Sequence, residues 1–188
     1  MTSRPRRSAL YMPASNAKAI EKARSLPCDV VILDLEDAVA PEAKEAAREQ
    51  AVQAVRDGGF GNRELVIRVN GSDTPWGADD LRAAAAAKPD AILVPKVNSA
   101  VDVADYSAPL HADTALWAMI ETSRSLFALD SIAAARATTQ LTTFVMGTND
   151  LAKEMRFRLT PGREPFFAAL SMAVTAASSR FSRIEARR

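Results

Sequence analysis

Charged side chains that could take part in catalysis stand where the apolar, strand-like segments of the sequence end. The segment VVILDLEDAV, Val30–Val39, begins with four apolar residues and then carries the carboxylates Asp34, Glu36 and Asp37. Polar residues also follow the later apolar runs: Arg68 and Asn70, then Lys96, then Glu121, then Asn149 and Asp150. Two carboxylates from neighbouring strands, with room for water, suit Mg²⁺, which prefers oxygen ligands. The pattern predicts a charged site that can hold Mg²⁺ at the strand ends.

Arg68 and Lys96 each allow two interpretations. A charge buried in an apolar run is costly without a partner, so Arg68 needs a carboxylate, either from its own chain or from a ligand. Lys96 follows Pro95 at a strand end. It is either a surface lysine whose stem packs on apolar residues or a reactive amine that can form a Schiff base.

The acidic pair and the last polar segment also have alternatives. Glu36 and Asp37 could cap the next helix or pair with its Lys44 and Arg48 rather than take part in a reaction. The residues before Asp150 include a glycine and are expected to form a flexible turn. The N–H groups of such a turn could face an anion.

Composition excludes several other kinds of site. The chain has 188 residues, a formal net charge of +1, one cysteine and one histidine. A zinc site needs several His or Cys ligands, and a Ser-His-Asp triad would have to use His111 without a GxSxG turn. The near balance of charge argues against a nucleic-acid or membrane partner. With Cys28 unable to form an internal disulfide, a reducing, cytoplasmic location is expected.

Strand-like and helix-like segments alternate along the chain, which predicts an α/β fold with parallel strands covered on both faces. The expected strands are 8–12, 30–33, 64–70, 91–97, 115–121 and 142–146. The expected helices run from 15 or 16 to 26 and over 41–57, 79–87, 99–106, 123–137 and 164–177. The first two strand-to-helix turns, MPASN and EDAVAP, lack a glycine-rich dinucleotide motif. A (β/α) TIM-type barrel with its site at the strand ends is therefore favoured over a doubly wound sheet.

A family resemblance adds to this reading. DLEDAVAPEAKEAAR, residues 34–48, resembles the signature of the citrate lyase β-subunit-like proteins in the HpcH/HpaI aldolase family. Further segments are similar to that family in the right order: RSALYMPAS, VIRVNGSDTPWGADDL, ILVPKV, ALWAMIET and FVMGTNDLAKEM. The resemblance implies a trimeric or hexameric (β/α)₈ barrel. It also implies a Mg²⁺-dependent enzyme that cleaves or forms C–C bonds in acyl-CoA or acyl-carrier thioesters.

The resemblance also implies roles for residues at the later strand ends. Glu121 and Asp150 are implied to be the metal ligands. The backbone of Gly147, Thr148 and Asn149 is implied to face the carboxylate of a 2-oxo acid such as oxaloacetate. Each of these roles belongs to the family position that the residue matches.

Arg68 is implied to contact the reacting carboxylate or carbonyl oxygen, with Glu36 and Asp37 completing the water shell and the acid–base network. The expected reaction splits citryl-, citramalyl- or malyl-CoA into an acetyl thioester and a 2-oxo acid or glyoxylate. Two alternatives stay open. One is a Schiff-base aldolase that uses Lys96. The other is a degenerate subunit that binds the thioester or 2-oxo acid without turnover.

The C-terminal region departs from the family pattern. A complete barrel has eight strands and about 250 residues, whereas six strands are expected here. Residues 178–188, SSRFSRIEARR, form an atypical basic tail. We therefore expect a single barrel domain over residues 1–188, C-terminally incomplete with about six of eight βα units. Its open edges, at 8–12 and 142–146, would be covered by a neighbouring subunit or by the last helix.

Overall fold

The structure is a computed structural model that describes residues 5–181. It has an α/β fold whose six-stranded sheet has the order β1-β2-β3-β4-β5-β6, which confirms the expected α/β fold; the barrel stays a prediction. The strands are β1 Ala9–Pro13, β2 Val30–Asp34, β3 Glu64–Arg68, β4 Ala91–Val94, β5 Ala115–Ile120 and β6 Leu141–Met146. The helices are α1 Ala17–Ala23, α2 Lys44–Asp57, α3 Gly77–Ala87, α4 Ala100–Ser107, α5 Ser123–Phe127, α6 Leu129–Ala134, α7 Thr148–Met155 and α8 Phe167–Phe181. Single 3₁₀ turns lie at Pro41–Ala43, Ala135–Ala137 and Glu164–Phe166.

The described chain divides into two compact units. The first contains the chain up to Leu93 and the segment Pro109–Ala115, and the second contains Val94–Ala108 and the chain from Leu116 onward. No helix within residues 5–181 is long and apolar enough to cross a membrane.

In the first unit, β1, β2, β3 and the part of β4 up to Leu93 pair in parallel with their neighbours in chain order. Every residue of β2, β3 and β4 is buried, as expected for parallel strands covered on both faces. The Asn16 side chain accepts a hydrogen bond from the Ala19 N–H and caps α1. Gly58, with φ of 62°, ends α2, because glycine adopts this conformation without the steric cost of a Cβ.

In the second unit, β5 and β6 are parallel and their last residues, Ile120 and Met146, lie side by side. The residues that follow them, Glu121 and Gly147, therefore leave the sheet at the same edge. Only Leu141 of β6 is fully buried. Helix α8 packs against α6 and β6, and the ring of Phe181 meets the ring of Phe144 edge-on at 5.0 Å.

Three helical expectations differ from the structure. The helix expected over 123–137 is broken at Ala128 into α5 and α6. Helix α7 is absent from the predicted elements, because Gly147 and Asn149 are typical turn residues. The last helix continues to Phe181, so the first part of the predicted basic tail is helical. Residues 182–188 of that tail lie outside the described residues.

Asp29 holds the two residues that precede β1, Arg7 and Ser8, through hydrogen bonds. These bonds allow a test of the fold. Its carboxylate accepts hydrogen bonds from the main-chain N–H groups of Arg7 and Ser8 and from the Arg7 side chain. The hydrogen bond from Arg7 lowers the pKa of Asp29 from 3.8 to about 2. Because the folded-state pKa is depressed, this stabilisation is present above pH 3.8 and is lost as the pH falls through 2.

We expect Asp29→Asn to lower the urea midpoint at pH 7, and we expect that difference to shrink progressively between pH 4 and pH 2. Asp73→Asn, which changes an exposed aspartate, serves as the control. Urea unfolding at several pH values measures both. A deficit in Asp29→Asn that is the same at pH 7 and pH 2 would contradict the assignment.

Candidate active site

Arg68, at the end of β3, is held by Asp34 at the end of β2. The register of the two strands puts these residues side by side. Nε of Arg68 donates to Oδ1 of Asp34 at 2.7 Å, and Nη2 donates to Oδ2 at 2.6 Å. Both residues are buried, Arg68 with 6% and Asp34 with 2% of its surface exposed. This two-pronged geometry fixes the plane of the guanidinium group.

Two further carboxylates of the first unit approach the same cation. Nη1 of Arg68 lies 2.7 Å from Oε2 of Glu36 and 3.4 Å from Oδ2 of Asp37, and the guanidinium carbon lies 5.6 Å from the ring centre of Tyr11. Burial on its own would lower the pKa of Arg68, but the hydrogen bond to Asp34 and the charges of the three carboxylates raise it. The carboxylate partners that Arg68 needs therefore come from its own chain.

Asp34 is among the strand-end carboxylates noted in the sequence, but the sequence assigns it no role in the site. Besides holding Arg68, its carboxylate accepts from the N–H groups of Glu36 at 2.8 Å and Ala38 at 3.2 Å. It thus orders the loop that carries the acidic pair. A signal was present, because an aspartate ends one apolar run and an arginine ends the next. Aligning the two runs by their ends pairs Asp34 with Arg68.

Lys44 holds the same loop from its other side. Its buried Nζ donates to the carbonyl oxygens of Leu35 at 2.8 Å and Glu36 at 2.6 Å, and to Oδ1 of Asn70 at 2.8 Å. Burial lowers the pKa of Lys44, and nearby carboxylates partly offset that effect. Lys44 thus donates its hydrogen bonds to two carbonyl groups of the loop and to the side-chain amide of Asn70.

Arg48 also has a different partner from the one considered in the sequence. Its Nε donates to Oδ1 of the fully buried Asp80 at 2.6 Å. Oδ2 of Asp80 accepts from the side-chain and main-chain N–H groups of Asn70 at 2.6 and 3.1 Å. A continuous polar network therefore runs from Arg48 through Asp80 and Asn70 to Lys44.

In the second unit, the end of β5 places Glu121 against the backbone. Glu121 has 1% of its surface exposed, and its Oε1 accepts from the N–H of Lys96 at 2.8 Å. Gly147 lies against the same side chain: a Cβ added there would stand 2.5 Å from both Cβ and Oε2 of Glu121. Any side chain at position 147 would displace the carboxylate, so a glycine is required by the close approach.

The expectation of a flexible turn before Asp150 is wrong. Gly147 is the N-cap of α7, and Thr148, Asn149 and Asp150 form its first turn. The helix begins with an acidic residue in its first turn and has Lys153 in its last, which suits the helix dipole. The substrate-binding role of these residues stays a prediction.

One cavity of about 330 Å³ contains both expected metal ligands. Its lining residues are Lys96, Glu121, Thr122, Asp150, Lys153 and Glu154. Within residues 5–181 no three His, Cys, Asp or Glu side chains are grouped so as to hold a metal ion. Two carboxylates beside an open cavity nevertheless fit Mg²⁺, which usually keeps several waters and binds proteins through one or two carboxylates. The donor set does not suit zinc.

The matches to known proteins agree with this architecture. Residues 7–184 match the HpcH/HpaI aldolase/citrate lyase family, and the chain belongs to that family. This confirms the resemblance noted in the sequence.

Two curated relatives illustrate the range of activities. A (3S)-malyl-CoA thioesterase of Cereibacter sphaeroides is 47% identical over 173 residues, which cover 92% of this chain and 59% of that protein. The citrate lyase subunit beta of Escherichia coli K12 is 30% identical over 94% of this chain and 61% of that protein. The chain therefore spans about three fifths of the length of these relatives.

Two solved structures from Mycobacterium tuberculosis contain ligands. The citrate lyase beta subunit complexed with oxaloacetate and magnesium has a TM-score of 0.74 and 31% identity, over 92% of this chain and 74% of that one. CitE in complex with magnesium, acetoacetate and coenzyme A has a TM-score of 0.75 and 30% identity, over 92% of this chain and 61% of that one. Structural relatives of this chain are thus crystallised with magnesium.

The unequal burial of Asp34 and Asp37 gives a direct test of the Arg68 contacts. We expect Asp34→Ala to lower the free energy of unfolding by roughly 3–5 kcal/mol, because it leaves a buried guanidinium without its two-pronged partner. The matched control, Asp37→Ala, should cost less than about 1 kcal/mol, since the Asp37 side chain is 70% exposed. Urea denaturation measures both. Equal losses would show that Asp34 is not the principal partner.

Proposed function

We propose that this chain is a Mg²⁺-dependent lyase that cleaves the C–C bond of a malyl-type CoA thioester to acetyl-CoA and glyoxylate. The observation that carries the proposal is the pair of carboxylates, Glu121 and Asp150, that line one cavity. The malyl substrate is supported by the identity of 47% to a malyl-CoA thioesterase. The bond cleaved is supported by the likeness to a citrate lyase subunit.

Glu121 and Asp150 would hold the cation. Bound Mg²⁺ polarises the oxygen atoms of a substrate and lowers the cost of an alkoxide. The Lys96 N–H fixes one oxygen of Glu121, so this ligand is oriented before a cation arrives. Asp150 stands in the first turn of α7, where the helix backbone fixes its Cα. Thr122, beside Glu121, has its hydroxyl bonded to Asn98.

From the family resemblance alone, Arg68 would contact the reacting carboxylate or carbonyl oxygen, where negative charge develops. Its raised pKa keeps it protonated throughout the physiological range, and Asp34 fixes its orientation. A pre-oriented cation of this kind lowers the barrier because no reorganisation is needed during the reaction. Glu36 or Asp37 would accept the proton of the substrate hydroxyl as the bond between C2 and C3 breaks. The electron pair of that bond passes to the thioester enolate, which is then protonated to acetyl-CoA.

Hydrolysis of the thioester is the second candidate, because a relative with 47% identity is a thioesterase. In that reaction water adds to the thioester carbonyl, the C–S bond breaks, and malate and free CoA are formed. A Schiff-base mechanism has less support. The Lys96 side chain is exposed, and the contact of Lys96 with Glu121 is made by its main chain.

We also propose, from the family resemblance, that the strands belong to a (β/α) barrel and that the protein assembles as a trimer or hexamer. The α/β fold and the likeness to the citrate lyase beta subunit structures support the barrel. The substrate thioester could be carried by CoA or by an acyl carrier. The CoA-bound structural relative supports CoA.

Product analysis tests the reaction. With Mg²⁺ and malyl-CoA we expect equal amounts of glyoxylate and acetyl-CoA, with little free thiol. Glyoxylate is measured as its phenylhydrazone and free CoA with a thiol reagent, with EDTA as the control. Malate and free CoA would establish hydrolysis instead. Mg²⁺-dependent binding of glyoxylate without turnover of malyl-, citramalyl- or citryl-CoA would establish a binding subunit.

Neutral variants of the cavity residues test the metal site. We expect Glu121→Gln and Asp150→Asn each to weaken Mg²⁺ binding at least about tenfold, roughly 1.4 kcal/mol, because an amide oxygen is a poorer Mg²⁺ ligand than a carboxylate. Glu154→Gln is the matched control, since Glu154 lines the same cavity but accepts from Ser123. Calorimetric titration measures all three. Equal Mg²⁺ affinities in the three variants would show that Glu121 and Asp150 are not metal ligands.

A further inference from the structure

We infer that Lys96 is a positioning residue that acts through its main chain. Its left-handed backbone aims the N–H group at Glu121 and thereby fixes one oxygen of the carboxylate. The inference rests on the proposed function, because it assumes that Glu121 binds the cation.

The backbone conformation of Lys96 is unusual. Its φ of 50° lies in the left-handed region that residues other than glycine rarely adopt. In this conformation its N–H lies 2.8 Å from Oε1 of Glu121. Strained backbone of this kind persists only where the surroundings enforce it, and it is concentrated at functional sites.

The surroundings of Lys96 do enforce it. Its carbonyl oxygen accepts from Nδ2 of Asn98 at 2.8 Å. Asn98 is held in turn by the hydroxyl of Thr122 at 2.5 Å and, through its own N–H, by Asp102 at 2.7 Å. Thr122 is the residue after Glu121, so the turn at Lys96 and the end of β5 are tied together.

Glu121 is thus confined on two sides. The Lys96 N–H holds Oε1, and Gly147 lies so close on the other side that a Cβ added to it would stand 2.5 Å from Oε2. The Lys96 side chain is exposed and is not needed for the hydrogen bond. Any residue that accepts a positive φ at position 96 should therefore keep Glu121 in place, whatever its side chain.

Three uncharged variants separate backbone from side chain, and comparing them with one another cancels the loss of the lysine charge. Lys96→Gly relaxes the backbone, Lys96→Asn tolerates the left-handed region, and Lys96→Val disfavours it. The Mg²⁺ dissociation constant of Lys96→Asn should lie within about twofold of that of Lys96→Gly. That of Lys96→Val should be at least about fivefold larger, the lower end of what local strain of this kind can produce.

Calorimetric titration with Mg²⁺ measures the dissociation constants. Thermal unfolding is recorded separately, because a purely structural role of Lys96 would change the unfolding temperature and leave the Mg²⁺ dissociation constant unchanged. If Lys96→Val does not fold, Lys96→Ala replaces it and should bind more weakly than Lys96→Gly. Equal affinities in the glycine and valine variants would overturn the inference while leaving the metal site intact. Loss of binding in all three alike would assign the role to the amine and overturn it too. A wild-type chain without Mg²⁺ affinity would overturn both proposals.

Discussion

The first unit is organised around the Arg68 guanidinium group, which is buried at the end of a parallel strand. Such a charge is tolerated only with a well-oriented anion beside it, and the register of β2 and β3 supplies Asp34 at that position. The same carboxylate then orders the next loop through two main-chain N–H groups. Lys44 holds the carbonyl groups of that loop. Glu36 is therefore carried on backbone fixed from both sides, which suits a preorganised site.

Much of the fold follows from local chemistry that the sequence displays. The six apolar runs became the six strands, because each was short, unbroken and followed by a helical pattern. The Asn16 side chain caps the start of α1, and Gly58 ends α2 through its positive φ. The polar strand ends also predict that Glu121 and Asp150 lie near one another, since parallel strands end at a common edge, and both residues line one cavity.

The remainder depends on contacts that no local pattern specifies. A glycine at position 147 suggests a turn, so the sequence does not indicate helix α7. In the structure a glycine is needed there because the Glu121 side chain lies too close for a Cβ. Lys44 and Arg48 looked like partners of the acidic pair, but Lys44 donates to loop carbonyl groups and Arg48 to Asp80. Choosing among such partners requires the three-dimensional distances. The left-handed backbone at Lys96 likewise arises from tertiary hydrogen bonds and has no sequence signal.

The proposed function requires that Glu121 and Asp150 hold a divalent cation and that an oxo acid binds beside it. Electron paramagnetic resonance of Mn²⁺ in place of Mg²⁺ tests it most directly. We expect one bound Mn²⁺ per chain that Mg²⁺ displaces. We also expect the lines to broaden when ¹⁷O-labelled glyoxylate is added, because an oxygen of the acid would then bind the ion. A bound Mn²⁺ whose spectrum is unchanged by the labelled acid, or Mn²⁺ that stays free in solution, would contradict it.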